Sequence, residues 1–250
     1  MRILYLATAQ IPGERAGALQ IARTCAALAG ACAEVHLLTR RVSRAEDLFS
    51  FYGLKTRFEV HRLPTLEAPR LFSPSYRLGL LGSLLGLRAS LGPLGILYTR
   101  EPGIVGMLAP LRGLLGARIV LEIRELTGDE LKPGTRSFAR LTRAFAAAAG
   151  ISVGTEHLRQ DMIRLFGLPE GKIAVIPNGC DAGVPDAPGD APGGALRILY
   201  TGQMYDWKGS DLLLSAFARL DREAPLRLVM AGGLPEDLAR LRALAAALGI

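Results

Sequence analysis

The sequence predicts an α/β fold made of two Rossmann-like units on parallel sheets, with the second unit incomplete. Short aliphatic runs alternate with longer segments of helical period along most of the chain, as strands of a parallel sheet do with their covering helices. The stretch 182–195 (AGVPDAPGDAPGGA) is rich in Pro, Gly and Asp and has almost nothing to bury, which is a linker composition. It divides a long first unit, 1–181, from a short second one, 196–250. With 250 residues the chain has room for one large core or two small ones.

Taken in order, strands are expected at 2–7, 34–39, 58–63, 96–99, 118–122, 151–153 and 172–176. Between the first two, Leu19, Ala22, Ala26 and Leu28 recur on a helical period, which predicts a helix over 17–29. An Ala-rich helix is expected at 138–149 and an amphipathic one at 156–166. After the turn cluster PNGCD and the linker, a new β-α-β-α run begins. Its strand at 197–201 leads through a Gly-containing loop to a helix at 210–220, then a strand at 226–230 and a helix at 235–248. Two strands and two helices do not enclose a core of their own, so this unit is expected to be docked or incomplete.

The net charge of +7 is unevenly placed. Residues 1–150 hold 20 Lys/Arg against 11 Asp/Glu, or +9, whereas 151–250 hold 10 against 12, or −2. A basic first half suits a partner that carries phosphate; it also follows from a composition whose cations are nearly all Arg. No Lys/Arg block is interleaved with aromatics, which argues against nucleic acid as a partner. Cys25, Cys32 and Cys180 form neither a C-x-x-C pair nor a ligand set with His, so no disulfide framework and no metal site is expected. The opening MRILYLATA reads as a first strand and not as a signal peptide. The most hydrophobic stretch, 78–91, is too short to span a bilayer. A cytoplasmic protein is therefore expected. The helix expected over 76–91, apolar with Arg77 and Arg88, suits either a core-facing position or peripheral contact with the inner face of the membrane.

Four segments carry candidate chemistry. In AQIPGERAGALQ, after the first strand, Gly17 and Ala18 open a helix where backbone N–H groups and the helix dipole suit an anion; it is not a G-x-G-x-x-G fingerprint. In VLEIREL, Glu122, Arg124 and Glu125 stand at the carboxyl end of an apolar strand, where ligands bind in open α/β sheets, and an Arg among carboxylates there can hold phosphate or a sugar hydroxyl. In IAVIPNGCD, Asn178–Gly179 makes a tight turn whose role is geometric: it fixes where the chain leaves the first unit. In LYTGQMYDWKGSD, Gly202 and Gln203 open a loop, and Lys208 precedes a helix with Ser210 as expected N-cap, an arrangement suited to a diphosphate. The isolated His36, His61 and His157 read as structural.

Together these residues resemble the retaining GT-B glycosyltransferases of family 4 (glycosyl transferases group 1). The resemblance runs in order through PGERAGALQIARTCAALA, YTRE at 98–101, LEIREL, ISVGTEHLRQDM, VIPNGCD, ILYTGQMYDWKGSDLLLSAF and LRLVMAGG. Its most specific part is VIPNG-x-D followed about twenty residues on by LYTG…WKG-x-D. The resemblance implies metal-independent transfer of a sugar from a nucleotide-diphosphate donor, with retention, to a glycan or lipid-linked acceptor in polysaccharide biosynthesis. No cofactor is implied, since the nucleotide-sugar is a substrate. Lys208 matches the family Lys on the donor diphosphate and Gly17 the loop facing phosphates and acceptor; Gly202 and Gln203 lie in the donor loop, and Arg124 with Glu125 take the catalytic positions. Gln203 stands where the family often has Arg, Arg124 where many members have His, and Ala18 where a second Gly is common. The family's Glu-x7-Glu motif is not found, as no Glu follows Glu236. The 250-residue chain alone is accordingly expected to be a fragment with negligible transfer. A nucleotide-sugar 2-epimerase of the same architecture and a non-catalytic binding module remain as alternatives.

Overall fold

β1 (Arg2–Ala7) is buried from Ile3 to Ala7 because it sits mid-sheet with helices on both faces, and for that reason it reads as an unbroken apolar run. The computed structural model describes residues 1–31, 33–41, 47–66, 68, 70–179, 196–220 and 225–250. They fall in two units, Met1–Gly179 and Cys180–Ile250. The linker expected at 182–195, and Cys32, Cys180 and Asp181, lie outside the described residues.

In the first unit β1 is flanked on one side by β2 (Glu34–Arg40) and β3 (Glu59–Leu63). On the other side lie β4 (Gly95–Thr99), β5 (Ala117–Ile123), β6 (Gly150–Val153) and β7 (Ile173–Val175). The order is β3-β2-β1-β4-β5-β6-β7 and every pairing is parallel. The crossovers carry α1 (Ala16–Gly30), α2 (Leu48–Tyr52), α3 (Phe72–Leu91), α4 (Pro102–Leu108), α5 (Arg112–Leu115), α6 (Arg136–Ala147) and α7 (Glu156–Phe166). This is a doubly wound sheet, and its strand order reverses between β1 and β4.

The two faces differ. One carries Leu4, Leu6, Leu38, Leu97, Ile119, Leu121, Ile151, Val153 and Ile173, and packs against buried residues of α3, α4, α6 and α7. The opposite face, with Tyr5, Ala7, Val35 and Leu37, packs against Ala18, Ile21, Ala22 and Cys25 of α1 and against Leu48 and Phe49 of α2. Small residues on α1 let it lie close to the strands. Thr135 and Thr155 cap α6 and α7, their hydroxyls accepting from Phe138 N–H at 3.1 Å and Leu158 N–H at 3.2 Å.

On α3, Tyr76, Leu80 and Leu84 recur at helical spacing and are buried, so the helix is core-facing; Leu78, at 72% exposed, lies on its outer side. Among the described residues no helix is long and apolar enough to cross a membrane.

In the second unit β8 (Leu196–Thr201) and β9 (Leu226–Ala231) pair in parallel, with α8 (Ser210–Phe217) and α9 (Pro235–Leu248) on one face. Met204, Leu214 and Leu241 form its small core, joined by Tyr200, Leu228 and Met230. The residues between these on the strands point the other way, and there Leu199 is 65% and Val229 38% exposed.

At the edge of the first sheet Glu34 binds Arg2 (2.9 Å) and His36 Nε2 (3.0 Å), while His36 Nδ1 meets His61 Nε2 at 3.0 Å. His61 is held below its ordinary 6.5, first by burial and then by His36, with Glu59 opposing. A base lowered in this way binds its proton more readily in the unfolded chain. Its contribution is therefore complete above 6.5 and lost as pH falls through the folded value. Calorimetric unfolding should show the thermal midpoint dropping between about pH 7 and about pH 5, and His61→Gln should flatten that slope. An equal slope in the variant would refute the assignment.

Candidate functional site

The carboxyl ends of β1 and β4, where the strand order reverses, are where an open α/β sheet leaves a crevice for a ligand. The loop after β1 is tied down there from several sides. Thr39 Oγ1 donates to Ala9 O at 2.8 Å, and Tyr52 exchanges two 2.7 Å hydrogen bonds with Gly13, donating to its carbonyl and accepting from its N–H. Arg62 donates to Ile11 O, and Thr8 Oγ1 reaches Glu101 of the loop after β4 at 2.7 Å. The Ile11–Pro12 peptide is cis. The loop delivers the chain into α1, whose N-cap, Arg15, makes no side-chain cap hydrogen bond.

Gly17 lies in the first turn of α1, and a Cβ added there would meet nothing within 4 Å. No packing within the first unit therefore demands glycine at this position; an open first turn is what close approach by a ligand needs. Ala18 is placed differently. Its methyl is buried in the core and its N–H donates to Arg15 O at 2.9 Å, so neither group faces outward.

On the α1 face, the sheet turns polar from β4 onward. Registers Tyr5↔Tyr98, Tyr98↔Val120 and Glu122↔Ser152 put Tyr5, Tyr98, Glu122 and Ser152 on that one face. The Glu122 side chain is only 8% exposed and its two oxygens are shared out. Oε1 takes Arg100 at 2.9 Å and Arg124 at 3.0 Å. Oε2 takes the Tyr98 hydroxyl at 3.1 Å and the Tyr5 hydroxyl at 3.4 Å. Since the Tyr98 proton goes to the carboxylate, the 2.9 Å contact with Ser152 has the serine hydroxyl donating. Burial, then the Glu122 charge, pushes Tyr98 up to about 12, and burial raises Tyr5 further. Both phenols therefore stay protonated and keep donating at neutral pH. Two guanidiniums on one carboxylate give this three-residue cluster a net positive charge, with Glu101 and Glu125 next to it in sequence.

Arg124, 30% exposed, also donates from Nη2 to Asn178 Oδ1 at 2.6 Å, and Gln20 of α1 donates to the same oxygen at 2.5 Å. Asn178, expected only to shape a turn, thus ties α1 to the strand end that carries Arg124. Glu125 is exposed on the loop after β5. Gln20, Tyr98, Arg100 and Asn178 were not singled out from sequence as site residues. The available signal was polar or aromatic residues near the ends of otherwise apolar strands.

In the second unit, Gly202 (φ 144°) and Gly232 (φ 120°) end the paired strands, and a Cβ on Gly232 would lie 2.1 Å from Gly202 O. Only glycine allows that approach. Gln203 follows with its side-chain carbonyl oxygen buried and lacking a hydrogen-bond partner among the described residues. Lys208 ends a 3₁₀ turn, Asp206–Lys208, and its ammonium lies 4.4 Å from the Trp207 ring centroid. The cap of α8 is Gly209 in the left-handed conformation, not Ser210 as expected; the Ser210 hydroxyl is buried and bonds Asp211 at 3.2 Å. Arg240 of α9 binds Asp211 and donates to Met204 O at 3.1 Å, fixing the loop from behind. Among the described residues no group of three or more His, Cys, Asp or Glu is placed to hold a metal ion.

Residues 16–179 match the model of the glycosyl transferase 4-like domain, which is more than half of the chain. The chain belongs to this family. It is 33% identical over 120 residues to a D-inositol 3-phosphate glycosyltransferase of Kineococcus radiotolerans, a match covering 42% of this chain and 27% of that protein. Among solved structures it is similar to sucrose-phosphate synthase from Thermosynechococcus elongatus, with TM-score 0.71, 18% identity and coverage of 99% of this chain and 67% of that one. It is also similar to Anabaena HepE in complex with UDP, with TM-score 0.67, 13% identity and coverage of 100% and 66%. The fold is that of the GT-B glycosyltransferases, over about two-thirds of their length.

Replacing Glu122 by Gln leaves two guanidiniums beside a neutral amide in a largely buried place. Urea denaturation should show the first unit destabilised by about 3–5 kcal/mol, against about 1–2 kcal/mol for Tyr98→Phe. Equal small losses would mean that Glu122 is solvated and the network marginal.

Proposed function

We propose that the protein is a GT-B glycosyltransferase that moves a sugar from a nucleoside-diphosphate sugar to a hydroxyl-bearing acceptor, with retention and without a metal or other cofactor. The observation that carries this reading is the family match over 16–179, with a donor-type loop following it in the second unit. Anabaena HepE, a structural neighbour, has been solved with UDP and with UDP-glucose, which makes a uridine diphosphate sugar the first donor to try. In this reading Lys208 and the amides of Gly202 and Gln203 receive the diphosphate, where charge grows as the sugar leaves. Gly17 and the open first turn of α1 offer backbone N–H groups to an anion. Arg124, held by Glu122 and Asn178, supplies fixed positive charge at the reacting side, with the Glu125 carboxylate beside it. Arg keeps its proton throughout, so Arg124 acts by charge and hydrogen bonding and not as a base.

The acceptor is proposed to be a glycan or a lipid-linked or phosphorylated polyol. The name of the Kineococcus relative and the net positive charge at Arg100 and Arg124 support including an inositol phosphate in the screen. A cytoplasmic location, with peripheral contact at the membrane's inner face, belongs to the same proposal. The chain spans about two-thirds of its structural neighbours, and by itself is proposed to transfer negligible sugar.

Thermal unfolding with a panel of UDP, GDP and ADP tests the donor assignment. One nucleotide should stabilise the chain, by about 2.7 kcal/mol at a hundredfold excess over its dissociation constant, and EDTA should leave the effect intact. No shift with any of the three would remove the donor site from this chain. Loss of the shift with EDTA would overturn metal independence, and robust sugar transfer by the purified chain would overturn its proposed inactivity alone.

A further inference from the structure

Trp207 is the chain's one tryptophan, and the structure leaves it 72% exposed, outside the core of the second unit. An indole left in water forgoes the largest burial gain of any side chain, so its place calls for a use at the surface. Two contacts define its surroundings. The Tyr205 ring stacks on it with centroids 6.0 Å apart and planes 20° from parallel. The Lys208 ammonium stands 4.4 Å from the indole centroid. Neighbours in sequence do not face one another along a regular helix. Here the 3₁₀ turn, ended by Gly209 at φ 73°, brings ammonium and ring together at the start of α8. Of the nearby carboxylates, Asp211 is bound by Arg240, which also stands 3.7 Å from the exposed Asp206.

We propose that Trp207 is a positioning residue for the diphosphate site, holding the Lys208 ammonium at the entrance to α8 before an anion arrives. This rests on the reading of Lys208 as the diphosphate contact. A lysine stem has much rotamer freedom, and fixing it in advance removes an ordering cost from binding. A carboxylate in Trp207's place would fix the ammonium equally well but cancel its charge. The face of an indole attracts the cation through its quadrupole and leaves the net charge for the ligand. Tyr205 backs the indole and limits its swing.

Calorimetric titration of inorganic pyrophosphate and of UDP into the full 250-residue chain tests this, with Trp207→Leu, Trp207→Phe, Lys208→Met and the Leu/Met double variant. Lys208→Met should weaken pyrophosphate binding by about tenfold. Trp207→Leu should weaken it by about two- to fivefold, and Trp207→Phe should keep most of the affinity. In the Lys208→Met background, Trp207→Leu should have no further effect. Unligated Lys208→Met should also differ from the unsubstituted chain in tryptophan emission, a signal that belongs to Trp207 alone. Unchanged affinity in Trp207→Leu, equal loss in Trp207→Phe, full additivity with Lys208→Met, or unchanged emission would each overturn the positioning role while leaving the diphosphate reading intact. If Lys208→Met binds as well as the unsubstituted chain, or neither probe binds at millimolar concentration, the diphosphate reading itself falls and takes the positioning role with it.

Discussion

The carboxylate of Glu122 sits near the end of a buried strand with two guanidiniums on one oxygen and two phenols on the other. Burying such a charge is costly unless its lone pairs are filled, and here they are filled by residues of β1, β4 and the segments that follow β4 and β5. Each partner is thereby fixed in turn. Arg124 is held toward Asn178, Asn178 toward Gln20, and Gln20 belongs to the helix whose first turn is the candidate anion site. The placement of Arg124, Asn178 and Gln20 is thus linked to the need to satisfy one buried charge.

Much of the fold was legible because parallel strands and their helices leave local marks. Among the described residues, all nine strands lie within one residue of their expected bounds at each end, and α7 and α9 coincide with theirs. The short helices were not foreseen. α2 has five residues, too few to display a period, and rests on Asp47 accepting from Ser50 N–H. α4 does carry a signal, Pro102 at its start, but its seven residues are divided by glycines. α6 begins at Arg136 because Thr135 caps it, two residues earlier than its apolar pattern suggested. α8 stops at Phe217, three residues short of the expected end.

The candidate site was legible only where it follows from short motifs. Gly17, Arg124 and Lys208 came from loops at strand ends, which sequence order locates. In the first unit the contacts that fix the candidate residues join positions distant in sequence: Gln20 and Asn178 are 158 positions apart, Arg124 and Asn178 54. Such pairs arise when the sheet is assembled and leave no trace in local spacing. Ala18 shows the opposite case, a motif neighbour whose side chain the structure uses for packing. Ser210 does likewise, since Gly209 reaches a left-handed φ that lets it take the cap position and turns the serine hydroxyl inward.

The loop between β1 and α1 has a kinetic consequence. Its backbone is anchored at Ala9, Ile11 and Gly13 by side chains from β2, β3 and α2. For the anion contact proposed at α1, a loop anchored in this way would meet its ligand with the backbone already set, and capture would be a single encounter. Differences in affinity among ligands at that turn would accordingly show in residence time, while association rates stay nearly alike.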